Sequence, residues 1–243
     1  MKLLLLACLL ATALLSGGPA AAAEPIGDYT NMSYDSGHGT QIEYLSKDGR
    51  AFLWYPGNTV ILSGRWKQSG KNMCFAYSEA SYNPVTGAKG GAFECMPYTL
   101  WWGSVEQRMK GDVLGLKGRA VAPFSLPKPR TTLEKVLARV VPGAPVPELE
   151  VPVVRSTGTG VALSCSSIVA NEKRSKADAA EAAFLYFHGQ FMGKRCVAVD
   201  YARAFALAKE ANIDTGQWLR ILRERASTGN PKAIAALKLL DTR

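Results

Sequence analysis

Histidine is almost missing from this 243-residue chain, which has two, His38 and His188. A catalytic or zinc-binding constellation built on imidazoles therefore has little to draw on. No Cys-x-x-Cys pair occurs, which removes the usual scaffold of a structural zinc site. No G-x-S-x-G elbow is present, although Ser164 and Ser166 flank Cys165. Gly158-Thr159-Gly160 lacks the further glycine and lysine of a phosphate-binding loop. Ser125-Leu126-Pro127-Lys128 has the S-x-x-K spacing, but Pro127 and Pro129 keep it extended and direct the lysine away from the serine. Acidic residues are also few, 20 against 29 basic, for a formal charge of +9. That excess favours acidic partners, among them an anionic envelope polymer. The basic residues are scattered, so nucleic acid is not expected.

What is there begins with a basic start, Met1-Lys2, and an apolar run from Leu3 to Leu15. With Ala21-Ala22-Ala23 before Glu24, residues 1–23 read as a cleaved signal peptide. The run falls short of the about 20 residues a membrane span needs, and no later segment is longer, so no transmembrane segment is expected after the leader. Export changes the meaning of the cysteines. Cys8 leaves with the leader, and Cys74, Cys95, Cys165 and Cys196 remain as an even set in an oxidising compartment. Four cysteines allow three connectivities. Cys74–Cys95 and Cys165–Cys196 are favoured because each pair staples one region internally, and zinc is the competing reading.

Residues 24–122 read as β-rich. An alternating run at Gln41–Leu45 and further short strand-like runs at Ala51–Tyr55, Thr59–Trp66, Met73–Ser78 and Ala92–Tyr98 are separated by turn residues such as Asp48-Gly49 and Pro56-Gly57-Asn58. Such spacing predicts an antiparallel meander, a small barrel or sandwich. Residues 123–174 read as a proline-rich connector with one short helix, capped by Thr131 with Glu134 closing the box, and a short strand at Val151–Arg155. Leu163–Val169 fits a strand or the first turn of a helix. Residues 175–243 read as helices at 176–188, 198–211, 215–227 and 231–240. Ser175, Asp214 and Asn230 are their caps, and Gly189 and Gly229 are their stops. The fold class is α+β.

Within the helical region, Leu185-Tyr186 and His188-Gly189, followed by Asp200-Tyr201, Ala204 and Ala211, resemble the Sel-one-like repeat, a relative of the tetratricopeptide repeat. Ser227-Thr228-Gly229-Asn230-Pro231 looks like a junction between repeats. The loop from Gln190 to Val199 is longer than the family's, and Ala183 stands where its first helix has glycine. The resemblance covers the last quarter of the chain and implies helix hairpins that hold other proteins. In the β part, Asp48-Gly49-Arg50, Gly64-x-Trp66 and Cys74-Phe75 resemble uncharacterised exported proteobacterial β domains, which implies no activity.

The candidate functional residues follow. Exposed basic residues Lys194, Arg195, Arg220 and Arg223, with Lys173 and Arg174, either meet an acidic partner or form a solvated face. Trp101 and Trp102, read as strand neighbours, point to opposite faces, so one is core and the other either packs or makes a ligand platform. His38, in a loop beside Asp35, is the candidate general base, and His188 reads as structural. Glu43 and Glu79 on strands are the candidate carboxylate pair of a glycosidase-like face. Together these point to an exported, non-catalytic periplasmic protein that docks an envelope protein through its helices. The alternatives are a β domain that binds a lipid, glycan or peptide, and a hydrolase using His38. No cofactor or metal is expected.

Overall fold

In the computed structural model, residues 25–35, 38–79, 81–83, 88–152, 163–191 and 194–241 are described, apart from the side chains of Asp35, Tyr82, Asn83, Ala88, Lys89 and Lys194. The region read as a signal peptide lies outside them. Strands β1 (Tyr29–Asp35), β2 (Gly39–Leu45), β3 (Arg50–Trp54), β4 (Leu62–Ser69) and β5 (Asn72–Tyr77) follow one another. A ribbon of β6 (Tyr82–Asn83) and β7 (Ala88–Lys89) leads to β8 (Glu94–Pro97), helix α1 (Tyr98–Ser104) and β9 (Val105–Lys110). Then come α2 (Leu133–Val140), β10 (Leu149–Glu150), α3 (Cys165–Asn171) and α4 (Lys176–His188). The ribbon of β11 (Gln190–Phe191) and β12 (Lys194–Arg195) precedes α5 (Tyr201–Glu210), α6 (Gly216–Ser227) and α7 (Pro231–Asp241). The class is α+β: an eight-stranded antiparallel half-barrel followed by helices.

The sheet runs β10-β9-β1-β2-β3-β4-β5-β8, so the first strand lies in its interior, between β9 and β2. Alternation then gives each face its own core. Met32, Ile42 and Trp54 are cross-strand neighbours and bury one face under Ile61, Leu114, Leu116, Leu126 and the inner stripe of α2. Leu45, Ala51 and Met73 bury the other face under Trp101, Trp102 and Val105. A disulfide joins Cys74 and Cys95, which pair directly across β5 and β8. The other joins Cys165, at the start of α3, to Cys196 beyond β12. These are the two pairings favoured from sequence.

Several expectations are corrected. Residues 123–141, read as connector, belong to the β half, because Leu126, Leu133, Val136 and Leu137 are part of its core. Thr132, not Thr131, caps α2, its side chain accepting from the Lys135 N–H. Residues 59–61 precede β4, and Val60 makes only an isolated bridge to Val121. The short strand is Leu149–Glu150; Val151 and Pro152 lie beyond it, and residues 153–155 lie outside the described residues. Trp101 and Trp102 stand on helix α1, where successive residues are about 100° apart, so both are buried, with ring centroids 5.8 Å apart.

Helical punctuation follows the sequence reading more closely. Ser175 caps α4, Gly189 ends it with φ 76°, and Asn230 accepts from the Ala233 N–H at 3.1 Å. Asp214 accepts from the Gly216 N–H, while Thr215 holds the cap position of α6. Leu163–Val169 resolves as the approach to α3 and its first turns, capped by Ser164 with Ser167 closing the box.

The two halves are keyed together by α1. Leu100 points away from the sheet's cores and belongs to the helical core that also holds Ala182, Leu185 and Phe187. The Thr99 hydroxyl donates to buried Glu181 on α4 at 2.7 Å, and the Cys95 N–H donates to Gln217 on α6 at 2.9 Å. Leu100→Ala should therefore cost about 2–5 kcal/mol and separate the unfolding of the halves. Near-ultraviolet and far-ultraviolet circular dichroism in urea would give non-coincident transitions; a single unchanged transition would contradict the keying role.

Candidate functional site

On the α1-side face of the sheet, polar groups are gathered in one cross-strand row. Glu150, Arg108, Asn31, Glu43 and Leu53 are successive partners across β10, β9, β1, β2 and β3. Arg108 is 1% exposed and lies 3.3 Å from the Tyr29 ring centroid and 4.8 Å from that of Trp102. It donates to the Pro25 carbonyl at 2.6 Å and approaches the Glu150 carboxylate at 3.4 Å. A buried guanidinium is tolerable only with such ring and hydrogen-bond partners.

Glu43 is held from a distant strand. The Tyr77 hydroxyl, on β5, hydrogen-bonds its carboxyl across β3 and β4. Small residues open that path. Gly64 pairs with Tyr77, and a Cβ there would meet the Tyr77 ring and the Ala76 carbonyl at 2.7 Å, so only glycine fits under the ring. Ala51 pairs with Gly64 on the next strand. Burial beneath this layer pushes the Glu43 carboxyl up to about 8, so it is held protonated near neutral pH. Phe75 continues the aromatic layer, its ring centroid 6.3 Å from those of Tyr77 and Trp101.

In the helical half, α5 and α7 frame a groove of about 420 Å³. Its walls come from Tyr186, Val199, Tyr201, Ala236 and Leu239. The two tyrosines are each held by an arginine. Arg225 donates to the Tyr201 hydroxyl at 2.8 Å, and Arg203, ion-paired to Glu172, lies 4.6 Å from the Tyr186 ring centroid. Lys232 donates to the Val199 carbonyl at 3.2 Å and ties α7 to the loop before α5. Ile234 and Leu239 on α7 remain 38% and 54% exposed.

The residues singled out in the sequence are not brought together. Arg195 and Arg223 are exposed and stand away from the groove lining. Arg220 is near enough to Glu94 on β8 to act on it electrostatically, so it faces the seam between the halves. The Lys194 side chain lies outside the described residues. Trp101 and Trp102, being buried, offer no exposed platform. Glu79 lies in the turn after β5 and is exposed, so it shares no face with Glu43 and the expected carboxylate pair is not formed. His38 is half-buried in the turn before β2, and the Asp35 side chain expected beside it lies outside the described residues. His188 packs on Phe184 and Phe187; burial, then the Arg225 charge, hold it down to about 3. Tyr77, Asn31 and Arg108 were missed, because only the register reveals that they share Glu43's face.

No family model matches the chain, and neither a curated protein nor a solved structure does.

The Glu43 carboxyl makes stability depend on pH. From about pH 4.5 to 8 the folded protein keeps a proton that the unfolded chain releases, so stability falls as pH rises through that window. Glu43→Gln preserves a partner for Tyr77 and should flatten this part of the curve. Urea unfolding of both proteins at several pH values checks it; parallel curves would assign the proton elsewhere.

Proposed function

We propose that this is an exported, non-catalytic interaction protein of an oxidising envelope compartment, the periplasm, and that its helical half holds a segment of a partner protein. The carrying observation is the preformed groove between α5 and α7. Its tyrosines are already fixed by Arg225 and Arg203, so little ordering entropy remains to oppose docking. The lining is apolar, with Ala236 buried and Ala198, Ala202 and Ala235 exposed along it, and Leu239 is 54% exposed. The fitting occupant is an amphipathic helix of a partner protein, presenting small apolar side chains at helical spacing. The Sel-one-like resemblance lies on the α4–α5 hairpin, whose Tyr186 and Tyr201 contribute to one side of this groove.

Two disulfides support the oxidising address, and no helix among the described residues is long and apolar enough to cross a membrane. The positive charge favours an acidic partner surface around the apolar contact.

The test places a photo-crosslinking residue at Leu239, at Ala202, or at Lys117 in the β half as a control. One protein should crosslink from the first two positions and not from the third. Leu239→Asp should then reduce its affinity about tenfold or more, as a charge in an apolar contact demands. Equal crosslinking from Lys117, or undiminished affinity in the variant, would reject groove docking.

A further inference from the structure

A second concavity lies where the two halves meet, a cleft of about 570 Å³. That volume is in the range of small-molecule sites, which favour such junctions. Between Met32 and Ser33 the register of β1 against β9 shifts, and Met32, Val105 and Gln107 of these strands line the cleft. Bulges of this kind often re-aim side chains beside binding sites. Val151, Leu163 and Phe191 supply the remaining apolar wall.

Polar groups line the cleft as well. The Leu133 N–H donates to the Gln107 Oε1 at 2.7 Å, which fixes the amide and leaves its NH₂ as the remaining donor. Thr131 also lines the cleft, and neither its hydroxyl nor the Gln107 NH₂ has a hydrogen-bond partner among the described residues. Arg130 lies beside them, ion-paired to Glu106, which lines the same cleft.

We propose that this cleft binds an acyl chain with a neutral carbonyl head, a monoacylglycerol-type ester. The donors meet the ester carbonyl while the chain lies against Val105, Val151, Leu163 and Phe191. A peptide fits less well, because it would carry a polar group at every residue along a wall without partners. A free carboxylate fits less well too, because Glu106 already occupies the Arg130 charge and a second carboxylate would meet it there.

Calorimetric titration of the full chain with 1-monododecanoylglycerol, below its aggregation concentration, tests this. Expected is saturable one-to-one binding, with dodecanoate at least about tenfold weaker. Val151 is 66% exposed, so Val151→Asp leaves the fold intact and should weaken the ester about tenfold. Thr131→Val should weaken it about fivefold through one lost hydrogen bond. Leu239→Asp, in the other groove, should leave it unchanged. Absence of saturable binding, dodecanoate binding as tightly as the ester, or affinity unmoved by both cleft variants would overturn the proposal.

Discussion

The structure depends on the seven-residue helix α1, inserted between β8 and β9. Its successive residues serve both halves. Trp101 and Trp102 close the sheet's second face, while Leu100 enters the helical core and Thr99 binds buried Glu181. A strand at this position would send alternate residues to opposite faces of one sheet. A helix spreads four consecutive side chains around its axis, which lets one short segment fill two cores. Gly103, in the same helix, lines the seam cleft.

Around that joint, polar groups are kept inside at a cost that specific partners offset. Arg108 sits between two aromatic rings and takes a carbonyl, and Glu181 takes a hydroxyl. Glu43 resolves the same problem by retaining its proton, reached by Tyr77 over a path that Gly64 and Ala51 leave clear. A carboxyl held neutral is a hydrogen-bonding group rather than a charge, which suits an interior position. The helical half meets its demands differently: alanines on α4 and α5 allow close approach, and Arg203 and Arg225 hold the tyrosines of its groove through polar and ring contacts.

Local signals in the sequence were legible where a short stretch carries the whole instruction. Ser175, Gly189 and Asn230 delimit helices through bonds within a few residues of themselves. The meander from β2 to β5 follows from short, evenly spaced strand-like runs and the turn residues between them. Strand β1 was missed because Thr30, Asn31 and Ser33 look like loop residues, yet Thr30 and Asn31 are buried between β9 and β2. The proline-rich stretch looked like a spacer, and Leu126 shows that an extended segment can still be core. From sequence Trp101 and Trp102 read as strand neighbours and the structure puts them on a helix, because an aromatic pair reads the same in either conformation until its neighbours are known.

The sequence by itself determined the α+β order, the caps and turns, and the even cysteine set, since these rest on residue type and near neighbours. Tertiary structure alone decided which polar residues share a face with Glu43, which helix joins the halves, and where the two concavities lie. Those depend on strand register and on the docking of segments as far apart as Thr99 and Glu181, or Cys95 and Gln217. A one-residue slip in register would reverse every face, and no local signal encodes it.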